Sequence, residues 1–509
     1  MWAQHLDAGI APVALVVLAA LTIAYYFMSG KRKVPSPDEG GGAHGTPIRH
    51  GSSQRIMQAQ SRSSIDIEKI AAECREKGDM WKDPDFGHDG FPGASIGDLE
   101  LKDGERGKPL AIGKEGVTWQ PPPKFCATPR PMGVRGDGIG TWLYSDSDGD
   151  GVVSAAESMK PTDVVQGSVG DCYFLSALAA VVFHHPDLAD DLIDETYEEQ
   201  GIYGVSFWRD GRWRMTWVDQ YFPCYRPSGK SHSGKHKLIF ASGEDHKETW
   251  PMVVEKAFAK EAGSYEAIAG GQVSAALEML TGGKGQARNA SLDTTGAKWE
   301  QFKREVLSDE YFVGAGSKQL STDTEEAAQQ KKVLQGIITG HAYTVLTVYE
   351  AGELRLVELR NPWGRGEWTG DWGTGSCQWD REEGKAAQAV VGSPPSQDGR
   401  FWMAWEDFTK CFDTIDTCHM NFSDDDRARR KELAAQAAVT LAKHERPKQK
   451  HGGGSDGGGS DDGPVRTQES ADAMMAMLLA EDAKEKRMKN IGARGNKRKT
   501  PLKKGKKQK

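Results

Sequence analysis

Hydrophobic positions along the 509-residue chain follow patterns of different period. Ile10 to Met28 is an uncharged run, long enough to cross a bilayer as a helix. After Cys172, residues Phe174, Leu175, Leu178, Val181 and Val182 recur at i, i+1, i+4, i+7 and i+8, which predicts a helix with one apolar face. Gly170 and Asp171 mark its start. Elsewhere the period changes to alternation. Trp213–Asp219, Ala342–Val348 and Leu354–Leu359 read as strands. A helix-rich part followed by a strand-rich part predicts an α+β fold. The flanks are polar. Residues 33–64 are rich in Ser, Gly and Pro and read as a tether. Residues 424–443 read as a polar helix, and 448–464, with Gly-Gly-Gly-Ser-Asp twice, as a flexible linker. Ser470 can cap a short helix carrying Met474, Met475, Met477, Leu478 and Leu479. Such a Met-rich face either adapts to partners or packs weakly on the core. The chain thus divides into an anchor (1–30), a tether (31–64), two folded halves (65–270 and 271–422) and a C-terminal region (423–509).

Polar residues at the ends of the patterned segments carry candidate chemistry. Cys172 falls at a helix N-terminus, where the dipole favours a thiolate. Gln166 lies in the loop before it, and its side-chain amide can join the Cys172 backbone N–H in holding an oxyanion. His341 opens one strand. Asn361 closes another, just before Pro362-Trp363-Gly364. If those strands are neighbours, Asn361 accepts from one ring nitrogen of His341 and holds the other toward sulfur. Trp363 then shields that bond from water. Taken singly, each residue has a plainer reading: a packing cysteine, a structural histidine, a surface turn. In the chain order Gln, Cys, His, Asn they resemble the parts of a papain-type cysteine protease.

A second motif is Asp146-Ser-Asp148-Gly-Asp150-Gly-Val152-Val-Ser154-Ala-Ala-Glu157. Carboxylates at loop positions 1, 3, 5 and 12, Gly at 6, a backbone oxygen from Val152 and Ser154 at 9 match a calcium-binding EF-hand loop. The flanks are poor helix formers, and the alternative is an acidic turn. The seven cysteines show no CxxC and no dense framework, which excludes a cysteine-held metal cluster and suits a reducing compartment. Lys31, Arg32 and Lys33 follow the apolar run directly, while only Asp7 is charged before it. The positive-inside rule then predicts a single-pass membrane protein with the folded part in the cytosol. A cleaved secretory signal is the rival reading, although the basic n-region is missing. The sequons at Asn289 and Asn421 are acceptors only in the opposite orientation. Lys484 to Lys509 holds 13 Lys/Arg and one Glu, a charge of +12, so the rest of the chain carries −8 − 12 = −20. That tail suits anionic lipid, RNA or an import receptor, or is simply solvated.

Further segments extend the resemblance. Gly78-Asp-Met-Trp-Lys-Asp-Pro-Asp-Phe86, Val117-Thr-Trp-Gln-Pro-Pro122, Pro161-Thr-Asp-Val-Val-Gln-Gly167, Glu248-Thr-Trp250, Tyr265-Glu-Ala-Ile-Ala-Gly-Gly271, Glu367-Trp-Thr-Gly370 and Asp398-Gly-Arg-Phe-Trp402 are similar to calpain segments. From about Ile65 to Phe422 the chain resembles a calpain, a calcium-dependent cytosolic cysteine protease. The resemblance implies a papain-like core of two subdomains, one carrying Cys172, the other His341 and Asn361, which calcium brings into register. It further implies calcium ligands at Asp163 and Glu248 in the first half, and at Glu367 and Asp398 in the second. The second set departs from the pattern, with Arg400 and Thr374 at two acidic positions. Tyr173 follows the cysteine where calpains usually carry Trp. Nothing after the core resembles a C2-like or paired EF-hand domain, so no small regulatory subunit is implied. Implied substrates are intracellular proteins, cut in disordered segments. Two functions stay open: a membrane-anchored, calcium-dependent cysteine endopeptidase, or a catalytically weak calcium-sensing membrane scaffold with the same fold.

Overall fold

The computed structural model describes residues 66–420, apart from 88–94, 102–115, 127–132, 136–139, 142, 145–151, 154–158, 228–235, 244–247, 293–294, 322–323 and 393–397. The apolar run Ile10–Met28, the tether, most of the EF-like loop and the C-terminal region lie outside the described residues. No helix among the described residues is long and apolar enough to cross a membrane.

The first half opens with helix α1 (Ile67–Lys77). The Asp66 side chain accepts from Lys69 N–H, Glu68 sits in its first turn, and Arg75 and Lys77 sit in its last, as the helix dipole favours. It buries Ile67 and Ala71 against Trp81, Ile202 and Trp217. Helix α2 (Cys172–His184) begins at the candidate nucleophile. The sequence predicts one apolar face, but every residue from Tyr173 to Val182 is buried. The extra positions are mainly Ala and Ser, small enough for neighbours to close in on all sides. Phe174 stacks on Phe258, with ring centroids 4.1 Å apart. Strands β1 (Ile202–Arg209) and β2 (Arg212–Asp219) form an antiparallel hairpin, with Ile193–Asp194 as a third strand. Asp210 and Gly211 both have positive φ, which a tight Asp-Gly hairpin turn requires. Helix α3 (Trp250–Ala262) packs against the hairpin. Its buried Lys256 pairs with buried Asp219, while Lys260 pairs with Asp83 at 2.6 Å and so straps residues 79–87 to the core.

Helix α4 (Val273–Thr281) packs on α2. The second half is a six-stranded antiparallel sheet in the order β3-β8-β4-β5-β6-β7. Its strands and two of its helices run β3 (Lys284–Asn289), α5 (Ala297–Val306), β4 (Tyr311–Ser317), β5 (Ala342–Ala351), β6 (Leu354–Arg360), β7 (Arg400–Ala404), α6 (Trp405–Cys411) and β8 (Phe412–His419). Aromatic rings fill the space between α5, α6 and the sheet, with Trp405 and Phe408 stacked at 5.3 Å. Two side-chain bonds seal the start of β5 against α2. Ser176 Oγ donates to Ala342 O at 3.1 Å, and Thr344 Oγ1 donates to Ser176 O at 2.9 Å.

Candidate active site

Cys172 is half-buried at the first position of α2. Burial raises its thiol above the ordinary value, the Asp171 carboxylate adds to this, and the nearby Ala342 amide opposes it. Asp171 itself is fully buried. Burial pushes its carboxyl up to about 7, and buried Glu255 beside it is raised by burial and by Asp171.

His341 sits where β5 begins. Ser317 grips its backbone: Ser317 Oγ accepts from His341 N–H at 3.0 Å, and Ser317 N–H donates to His341 O at 2.9 Å. Gly340 before it has φ +60°, and a Cβ there would lie 2.5 Å from the Gln319 amide. The paired strands β5 and β6 bring the ring to Asn361, with His341 Nε2 2.8 Å from Asn361 Oδ1. The orientation of the carboxamide is settled by its other bonds. Asn361 Nδ2 donates to Gly366 O at 3.1 Å, and Trp363 N–H donates to Oδ1 at 3.0 Å. Oδ1 can only accept, so Nε2 carries the hydrogen and Nδ1 holds the lone pair of the neutral ring. The Trp363 ring lies 4.8 Å from the imidazole, centroid to centroid, and covers it. Burial lowers the ring to about 4, against the opposing bond from Asn361. Burial thus raises the Cys172 thiol and lowers the His341 imidazole, and both shifts oppose a resting ion pair.

Gln166 is buried, and its Nε2 donates to Val169 O at 2.7 Å. A carboxamide has two N–H donors, so one remains. The Gln166 backbone N–H donates to Pro362 O at 2.8 Å, tying the loop before Cys172 to the loop after Asn361. Arg360, fully buried, adds a second tie: Nη1 donates to Val164 O at 2.9 Å and Nη2 to Thr162 O at 3.0 Å. These bonds join the two halves across one seam. Sequence reasoning missed Arg360 and Ser317. The one available signal is an arginine at the end of the strand Leu354–Arg360, directly before Asn361.

Among the candidate metal ligands, Asp163 and Glu248 are buried. Asp163 ends the short turn Pro161–Asp163, and its Oδ2 accepts from Lys160 N–H at 2.6 Å. Pairing of Val165 with Ser242 brings the segments bearing these two acids together. Buried carboxylate oxygens on adjoining segments fit a hard cation such as calcium. In the second half, Glu367 Oε1 accepts from Gly399 N–H at 3.1 Å, and Asp398 Oδ2 is held by Arg400 through Nε at 2.7 Å and Nη2 at 2.6 Å. With a guanidinium on the carboxylate, this set does not fit a divalent cation. Asp146, Asp148, Asp150, Ser154 and Glu157 lie outside the described residues; Val152 is in a short strand parallel to Gly133–Arg135. Among the described residues no three His, Cys, Asp or Glu side chains form a metal-holding group.

Comparison with known proteins gives the family. The profile of the calpain family cysteine proteases matches residues 115–419, and the chain belongs to that family. It is 38% identical over 268 residues to the calpain-type cysteine protease DEK1 of Arabidopsis thaliana, covering 51% of this chain and 12% of that one. It is 30% identical over 364 residues to human Calpain-12, covering 70% of this chain and 43% of the relative. With rat Calpain-9 it shares 32% identity over 268 residues, 51% of this chain and 36% of the relative. The chain thus spans less than half the length of these relatives.

Proposed function

We propose that the protein is a calcium-dependent cysteine endopeptidase acting on intracellular proteins. The observation that carries this is the oriented His341–Asn361 pair at 2.8 Å, beside a cysteine that begins a buried helix. Cys172 Sγ attacks the scissile carbonyl carbon as its proton passes to His341 Nδ1. Asn361 Oδ1, accepting from Nε2–H, holds the imidazolium in place. The oxyanion receives the Cys172 backbone N–H and the remaining Gln166 Nε2–H. His341 returns the proton to the leaving amine, and water then splits the acyl-enzyme. Asp163 and Glu248 would hold calcium, whose charge would bind the Gln166 loop to the rest of its half. Asp146, Asp148, Asp150, Ser154, Glu157 and the Val152 carbonyl form a further calcium loop just upstream. Substrates enter as extended segments. Ile10–Met28 anchors the chain, with the protease on the cytosolic side, and the basic tail adds contact with anionic lipid.

One observation favours a second reading, a weakly catalytic, calcium-sensing membrane scaffold. Burial raises the Cys172 thiol and lowers the His341 imidazole, so both shifts oppose the ion pair that attack requires. A calcium titration that follows peptide hydrolysis and irreversible alkylation of Cys172 together, with Cys172→Ala as control, separates the two. Hydrolysis and labelling rising together establish the protease. Labelling without turnover establishes the scaffold. Turnover that ignores calcium removes the calcium from the proposal.

A further inference from the structure

Arg400 is the first residue of β7, directly across from Arg360 on β6. Its guanidinium is only 16% exposed. It grips Asp398 Oδ2 through two nitrogens, at 2.7 and 2.6 Å, and a third nitrogen lies 4.0 Å from Glu358. Asp398 Oδ1 accepts from Arg400 N–H at 3.0 Å, so the same pair closes the turn around Gly399. Glu367 secures that turn from the other side through Gly399 N–H.

The turn has a definite place. Asn361 N–H donates to Gly399 O at 2.9 Å. Gly399 has φ +83°, and a Cβ there would lie 2.7 Å from Asn361 O and 3.0 Å from the backbone of Gly364 and Arg365. The turn therefore forms the floor beneath Asn361, with no room to spare. A fixed cation at its edge holds acidic groups from two chain segments around that floor, as a bound divalent ion would. Unlike an ion, it does not leave.

We propose that Arg400 is a positioning residue whose built-in charge fixes the Asp398–Gly399 turn under Asn361, so that the second half holds His341 in register without calcium. This rests on the Cys172–His341–Asn361 reading. In consequence, calcium acts on the first half alone.

The test uses the full chain. Arg400→Ala is expected to lower kcat by about 10- to 100-fold, as small misplacements of catalytic groups do, at every calcium concentration. KM stays within about twofold, because no substrate contact is lost. Arg400→Lys, which keeps the charge but not the planar grip, recovers part of the loss. Arg400→Glu is expected to bind one calcium ion more than the parent, counted by equilibrium dialysis, and to regain kcat as that ion binds. Parent-like kcat in Arg400→Ala overturns the proposal, as does loss of activity in all three variants in proportion to their unfolded fraction in a melting scan. Equal ion counts in the parent and Arg400→Glu overturn the equivalence with a metal. Ion counting needs no turnover. If the parent itself fails to hydrolyse peptide, the protease reading fails while the counts still decide this one.

Discussion

At the scale of single residues, the Asn361 carboxamide decides which ring nitrogen of His341 is the base. Two backbone partners fix its orientation, so Asn361→Ala removes an orienter without touching the nucleophile. We expect kcat to fall by about 10²- to 10⁴-fold with little change in KM. Unchanged kcat in steady-state assays would show that the ring is held some other way. The imidazole also makes a pH prediction. Its value is about 4 in the fold against an ordinary 6.5, so the unfolded chain takes the proton first. Its stabilisation, on the order of 3 kcal/mol, is complete above 6.5 and is lost as pH falls toward 4. The melting temperature of His341→Gln should therefore fall less than the parent's between pH 7 and pH 4.5. Parallel curves would place the sensitivity elsewhere. Cys172, His341, Asn361 and Gln166 were legible because the chemistry needs these residue types in fixed local settings. Arg360 and Ser317 were not, and Arg400 showed only as a basic residue at an acidic position, since each acts through contacts that exist only once distant segments meet.

At the scale of elements, helix α3 is the clamp of the first half. Lys256 and Asp219 are both fully buried, and Lys256 Nζ also donates to Tyr221 O at 2.7 Å and lies 5.1 Å from the Trp119 ring centre. Removing one partner leaves a desolvated charge, so Lys256→Ala is expected to cost about 3–5 kcal/mol. Chemical denaturation of the parent and variant checks this. A shift below about 1 kcal/mol, the range of exposed pairs, would mean that Asp219 finds another partner. Period alone revealed four of the long elements: β5, β6 and β2 alternate, and α2 repeats at helical spacing. It could not reveal β4, which contains Gly314 and Gly316. Those glycines weaken any strand signal, yet packing demands them: a Cβ on Gly314 would lie 2.6 Å from Val273. Short strands such as Lys237–Leu238 carry no period at all, and only their neighbours define them.

At the scale of the whole molecule, the two halves meet along one seam, where the Gln166 N–H, both Arg360 donors, Ser176 and Thr344 bridge them. The motif order along the chain implies that both halves contribute to one site. It could not foretell the seam, which belongs to neither half alone. If Ile10–Met28 anchors the chain as proposed, this core faces one side of a membrane. Lys31, Arg32 and Lys33 directly after the apolar run predict the cytosol. The sequon at Asn289 makes that testable inside the fold itself. Asn289 is exposed at the end of β3, the edge strand of the sheet, so burial does not protect it from modification. Expressed in a eukaryotic cell, the full chain should stay with membranes through alkaline carbonate washing and show no mobility shift on glycosidase treatment. Moving the three basic residues ahead of Ile10 should invert the chain and produce a shift that Asn289→Gln reduces. A glycan on Asn289 in the unaltered chain would place the core on the lumenal side, where the free, half-buried Cys172 would face an oxidising compartment and the cytosolic substrates proposed for it would be out of reach.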